Sequence, residues 1–184
     1  MPKRPCASEY LFAVLFVFMA LGGASDSVYG QSPTDFVPVT DAMLQDPAPG
    51  DWLMWRRTLD GWGYSPLDEI NRENVDELRL VWSRGMTEGR QQGTPLVYDG
   101  VMYMPNPSDV IQAIDAVTGD LVWEHRREVP ENIGDYVFNG LWQNNRNVAI
   151  YGSFIIDTSV DDHVFALEAS TGRLAWETEI LDYT

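Results

Sequence analysis

The strongest constraint on this chain is a repeat within it. Ala113 to Glu124 reads AIDAVTGDLVWE, and Ala166 to Glu177 reads ALEASTGRLAWE. Their tryptophans, Trp123 and Trp176, stand 53 positions apart. The likeness extends upstream, where Val97-Tyr98 corresponds to Ile150-Tyr151 and Asp109 to Asp162. A period of ~40–50 residues marks stacked supersecondary units, none of which buries its apolar face alone.

The chemistry of the unit predicts four short strands. Leu96-Val97-Tyr98 and Val101-Met102-Tyr103 flank Asp99-Gly100, the pair that best tolerates the positive φ angles of a two-residue hairpin turn. Val110 to Ile114 is a third strand. Asp115 to Gly119 reads as a tight turn, with Asp115 accepting backbone N–H bonds and Gly119 supplying the permissive φ. Leu121 to Glu124 is the fourth strand and carries Trp123. Four antiparallel strands per repeat describe a β-propeller blade, with the tryptophan as a flat packing element between neighbouring blades. Thr94–Glu124 and Val148–Glu177 are each expected to form one, with Trp123 and Trp176 equally buried.

A degenerate earlier copy is read at Leu78 to Trp82. Ser65 to Ile70 reads as a capped helical turn with Pro66 at its first position. Gln31 to Gly50, with Pro33, Pro38, Pro47 and Pro49, reads as an extended lead-in. Residues 51–184 then hold about three blades, short of the ~4–8 of a closed propeller. The chain is therefore expected to be a truncated part of a longer propeller.

The first thirty residues read as a secretory signal. Lys3 and Arg4 precede an apolar run from Tyr10 to Leu21, and Gly22, Gly23, Ala24 and Ser25 follow. The run is shorter than the ~20 residues of a membrane span. Cleavage after Ala24 or after Gly30 fits; an uncleaved anchor is the alternative. Either places the rest outside the cytoplasm, and a periplasmic location is expected. The one cysteine, Cys6, would leave with the signal, so no disulfide or thiol chemistry is expected in the mature chain. A formal charge of −16 repels phosphate backbones, which argues against a nucleic-acid partner. Seven tryptophans and 45% apolar residues argue for a packed core.

Several stretches together carry a family resemblance. They are Asp51-Trp52-Leu53-Met54-Trp55-Arg56-Arg57, Asp60-Gly61-Trp62-Gly63-Tyr64-Ser65-Pro66-Leu67, Ile70-Asn71, Asn74-Val75, Gly93-Thr94-Pro95-Leu96-Val97 and Asn145-Arg146, with the D/E-x-x-T-G-x-x-x-W repeat. From about Pro38 to Thr184 the sequence resembles the opening of the pyrroloquinoline quinone (PQQ) dependent methanol and ethanol dehydrogenases. The resemblance implies an all-β, eight-bladed propeller with tryptophan-docking repeats around a buried PQQ, held with a Ca²⁺ or lanthanide ion. It also implies an alcohol substrate, an aspartate base, hydride transfer to the quinone and a cytochrome c-type electron acceptor. PQQ carries three carboxylates, which a chain of this charge can hold only with local cationic or donor groups.

Three residues match cofactor positions of that family. Arg146 matches an arginine that pairs with a PQQ carboxylate; the alternative is a solvated surface group. Thr158 matches a threonine near the cofactor, or is a strand threonine chosen for β propensity. Gln92 stands where methanol dehydrogenases carry a glutamate contacting PQQ, keeping the hydrogen bonding without the charge, or is an ordinary loop residue. The chain departs from the methanol and ethanol branch in lacking the adjacent cysteine pair before the arginine, where Gly140-Leu141 stand instead. Trp142 is read as a cover for the cofactor or as packing.

No catalytic residue and no metal ligand is assigned within the chain, since the resemblance puts both beyond Thr184. Asp162 and Glu168 recur at the repeat positions of Asp109 and Asp115, which points to turn structure, and His125 and His163 lack partners at metal-ligand spacing. The competing reading is a non-catalytic propeller scaffold of the outer-membrane assembly type, for which a lipidated cysteine after the signal would be expected. A membrane-bound sugar dehydrogenase would want several N-terminal spans.

Overall fold

The computed structural model describes residues 36–137 and 144–184. The secretory-signal reading, Gly140-Leu141 and Trp142 lie outside the described residues.

Eight strands form two sheets in chain order. Strands β1 (Leu96–Tyr98), β2 (Val101–Asn106), β3 (Val110–Asp115) and β4 (Leu121–Arg126) make one four-stranded sheet. Strands β5 (Ala149–Tyr151), β6 (Phe154–Thr158), β7 (His163–Glu168) and β8 (Leu174–Glu179) make the other. Every neighbour is antiparallel. Both predicted four-stranded units are therefore present, and they agree down to their irregularities. Ala113 pairs with Trp123 and Ala166 with Trp176, and each register shifts one residue later, at Ile114 and Leu167.

The turns form as their chemistry predicts. Asp99 and Gly100 take φ of 48° and 75°, closing β1 onto β2. The Asp115 carboxylate accepts from Val117 N and Thr118 N, each at 2.8 Å, and Gly119 sits at φ 78°. In the second sheet Gly172 takes the same role at φ 70°, and Glu168 accepts from the Thr171 hydroxyl at 2.9 Å.

The sheets join through Trp123 and the turn that follows β7. The indole Nε1 donates to Ala169 O at 2.9 Å, and the ring lies so close to Gly172 that a Cβ there would stand 2.5 Å from Cε3. His125, two residues on, bonds Gly172 O at 3.1 Å. Leu96, Tyr103, Ile111, Ala113, Ile155, Phe165 and Leu167 complete the core between them.

Four sequence expectations are corrected. Trp176 is 41% exposed against 9% for Trp123, because no turn among the described residues covers it. Leu78 to Trp82 forms no strand, with Leu80 and Val81 over 80% exposed, yet Trp82 repeats the Trp123 contact. Its Nε1 donates to Ala116 O at 3.1 Å, and a Cβ on Gly119 would stand 2.6 Å from its ring. Ser65 to Ile70 is not helical: Ser65 Oγ accepts from Leu67 N at 3.3 Å, a local turn that competes with helix. The lead-in is not wholly extended, because Thr40 caps a five-residue helix α1 (Asp41–Gln45) by accepting from Met43 N. Before that helix the lead-in docks on the second sheet, Val39 pairing with Gly152, and just past the lead-in Trp52 pairs with Val97 of the first.

Candidate functional site

Gln92, Arg146 and Thr158 come from three places in the chain; Gln92 and Arg146 meet directly, and Thr158, at the end of β6, is tied to the Arg146 segment through Asp157 and Asn145. Arg146 Nε donates to Gln92 Oε1 at 2.9 Å across 54 positions of sequence. The backbone supports the pairing, since Thr94 N donates to Arg146 O at 2.8 Å. Close approach of the Gln92 segment depends on Gly93, where a Cβ would stand 2.3 Å from Pro105 O. Gln91, on the other side, donates to that same carbonyl at 3.0 Å. The two glutamines thus face opposite ways, one anchored to β2 and one engaging Arg146.

Thr158 ends β6, and a buried pair links it to Arg146. Asn145, immediately before Arg146, donates Nδ2 to Asp157 Oδ2 at 2.5 Å. Asp157 Oδ1 accepts from Thr158 N at 2.8 Å. Asn145 and Asp157 are buried, whereas Gln92, Arg146 and Thr158 all present exposed side chains. Burial, with a smaller contribution from nearby Asp109, raises the Asp157 carboxyl to about 7, against the lowering effect of its two hydrogen bonds.

On its far side Thr158 is followed by a second buried network. The Ser159 hydroxyl donates to Asp109 Oδ2 and accepts from Arg127 at 2.8 Å. Arg127 also spans both oxygens of Asp161, at 2.8 and 2.9 Å, and reaches Glu177 Oε1 at 2.5 Å. Asp109 belongs to the turn between β2 and β3, so this network ties the two sheets together beside Thr158. Burial lifts the Asp109 carboxyl, offset in part by Ser159 and Arg127. Asp109 and Asp162 both hold positive φ, at 53° and 59°, the turn role read from their recurrence.

Sequence reasoning missed Asp157 and the Arg127 network. The available signal was strand parity: Asp157 lies two residues after fully buried Ile155, hence on the inward face of β6. For Arg127 no local signal exists, because its partners are 34 and 50 positions away.

The site offers an exposed guanidinium steadied by the neutral amide of Gln92, with Thr158 exposed at the end of β6. No carboxylate among the described residues pairs with Arg146, whereas Arg126 and Arg173 each hold one and Arg127 holds two. That donor set suits the carboxylates of PQQ. It does not suit a metal: among the described residues no three His, Cys, Asp or Glu side chains gather as a cation site. A cavity of about 160 Å³ lies elsewhere, lined by Tyr103, Val117, Trp123 and Ala169, at the junction of the sheets, and none of the three candidate residues borders it.

Comparison with known proteins agrees with an all-β, propeller-type fold. The alcohol dehydrogenase (quinone) dehydrogenase subunit of Gluconacetobacter polyoxogenes is 40% identical over 138 residues, covering 74% of this chain and 18% of that protein. The solved quinohemoprotein alcohol dehydrogenase ADH-IIG of Pseudomonas putida HK5 superposes with a TM-score of 0.70 at 31% identity, over 79% of this chain and 22% of its own. A europium-containing methanol dehydrogenase superposes with a TM-score of 0.65 at 27% identity, over 77% and 25% respectively. The chain thus spans a quarter or less of the length of these relatives. Residues 52–179 match the profile of the PQQ glucose/ethanol/alcohol dehydrogenase β-propeller domain, and the chain belongs to that family of PQQ-dependent oxidoreductases.

Proposed function

We propose that this chain is the N-terminal part of an exported, periplasmic PQQ-dependent dehydrogenase that oxidises alcohols by hydride transfer to the quinone. In this reading it supplies the first blades of an eight-bladed propeller, joined by tryptophans of the Trp123 kind. The observation that carries it is the bond between Arg146 and Gln92, which steadies an exposed guanidinium, with Thr158 tied to the same segment through Asp157 and Asn145. Arg146 would hold a PQQ carboxylate through a charge-assisted pair, Gln92 would orient the guanidinium, and the Thr158 hydroxyl would donate to a second acceptor. When bound, PQQ supplies the two-electron acceptor for the hydride of the alcohol. The base and the ligands of a Ca²⁺ or lanthanide ion are assigned to sequence beyond Thr184. An ion of the lanthanide class is supported by the europium-containing relative. A cytochrome c-type protein is the proposed electron acceptor.

Equilibrium titration of the full-length apoprotein with PQQ, followed by quinone absorbance, tests this reading. Arg146→Ala should remove a charge-assisted bond of about 1.5–3 kcal/mol and weaken binding roughly 10- to 150-fold. Unchanged PQQ affinity in that variant would defeat the role given to Arg146.

A further inference from the structure

Asp157 is a buried carboxyl that packing alone does not require, and its two hydrogen bonds lead to the two sides of the candidate site. Oδ2 holds the amide of Asn145, next in sequence to Arg146, and Oδ1 holds the backbone N–H of Thr158 itself. Resting on the PQQ reading above, we propose that Asp157 is a positioning residue for the quinone: in its carboxylate form it fixes Arg146 and Thr158 at the spacing that receives the cofactor.

The chemistry of the pair makes the protonation state matter. Asn145 presents an N–H to Oδ2, and Thr158 N presents another to Oδ1, a pair of donors that the acceptor-only carboxylate satisfies best. Protonation at Oδ2 would set donor against donor, so the Asn145 amide would have to turn over or let go. Arg146 follows directly in the chain and moves with it. Of the charged groups near Asp157, Asp109 disfavours the carboxylate. Asp109 is itself engaged by Ser159, with Arg127 and Asp161 completing that network from the neighbouring elements. The carboxyl is raised to about 7, so the change falls within ordinary working pH.

The test uses full-length apoprotein and PQQ itself, with binding read by quinone absorbance rather than by turnover. For the wild type, the dissociation constant should rise on the order of tenfold from about pH 8 to about pH 6. Asp157→Asn keeps the shape and an acceptor for Thr158 N, and Asn145 pairs with it after one amide turn. That variant should bind PQQ with an affinity independent of pH over the same range. Asp157→Ala should bind weakly at both ends. A pH dependence that survives in Asp157→Asn assigns the titration to another group and overturns the proposal, as does a flat wild-type profile or unchanged affinity in Asp157→Ala. Should the alanine variant fail to fold, the asparagine variant decides alone. Absence of PQQ binding by the wild type removes the PQQ reading itself and this inference with it. Binding by the wild type that is lost in Arg146→Ala but insensitive to position 157 keeps the first and sinks the second.

Discussion

A carboxyl group in an unfolded chain titrates near 3.8, whereas burial and Asp109 raise Asp157 to about 7 in the fold. Between those values the folded chain binds a proton that the unfolded chain has lost. Stability from this group is therefore complete below 3.8 and disappears as pH rises through about 7. Each unit of that interval is worth about 1.4 kcal/mol, on the order of 4 kcal/mol in all. The form proposed to position the cofactor is thus the form that weakens the fold, a pattern expected where a site holds strain or unfavourable charge. Asp157→Asn should raise the denaturation midpoint at about pH 8 and leave it nearly unchanged at about pH 4. An equal gain at both pH values would mean that desolvation of the charge is not what the substitution relieves. Arg127 behaves oppositely. Its removal leaves Asp161, with a side chain 5% exposed, without its cationic partner and with only Ser159 and His163 nearby, a loss of about 3 kcal/mol at neutral pH. Asp161 is held below the usual carboxylate range, since its hydrogen bonds, Arg127 among them, outweigh burial. Its contribution is present above 3.8 and fades as pH falls below it, so the deficit of Arg127→Met should shrink in acid, as denaturation midpoints against pH will show.

At the scale of elements, the contact that joins the sheets needs a glycine more than it needs a particular ring. Gly172 is at φ 70°, and a Cβ there would meet the Trp123 ring at 2.5 Å. Gly172→Ala combines a left-handed backbone with a clash against a ring fixed by its own hydrogen bond, and should cost about 2–4 kcal/mol. Trp123→Phe keeps most of the area but leaves Ala169 O without its indole donor, a loss of about 1–3 kcal/mol. Denaturation of the two variants should rank Gly172→Ala as equal or worse; a silent Gly172→Ala would mean that the sheets slide apart freely. The strands, hairpins and turns around this contact were legible because each rests on local chemistry: Asp99-Gly100, Asp115 and Gly119 act within a few residues. The burial of the tryptophans was not legible, because it depends on what arrives from elsewhere. Trp82 and Trp123 find a turn to dock on, and Trp176 does not among the described residues. The candidate site divides in the same way. Arg146 and Gln92 were named one by one, but their bond spans 54 positions and depends on how closely Gly93 approaches Pro105. Asp157 escaped notice because an acidic residue near a strand end looks like a turn residue until parity with Ile155 is counted.

On the scale of the whole molecule, the last sheet presents a face that resembles an interior. Trp176, Leu174, Ile180 and Leu181 are 41% to 66% exposed, and all six residues of β8 are open. Trp123 reaches its buried state only by covering the turn after the next repeat's third strand, so Trp176 calls for an equivalent turn from a following unit. Exposed apolar surface of this kind drives association. The 184-residue chain alone should therefore aggregate or run as oligomers in sedimentation analysis, and adding downstream sequence should give a monodisperse protein. Activity should follow the same boundary. Hydride transfer requires a base beside the alcohol and a polarised quinone. The base and the metal ligands are assigned to later sequence, and Asp157, the acid that bonds Thr158 N, is buried and engaged by Asn145. The chain alone, supplied with PQQ, Ca²⁺ or a lanthanide and an artificial electron acceptor, should show no alcohol oxidation, while the extended protein should oxidise alcohols under the same conditions. A monomeric 184-residue chain that oxidised alcohols would show that the base and the metal ligands lie within it, and would overturn both their assignment beyond Thr184 and the need of Trp176 for a following turn.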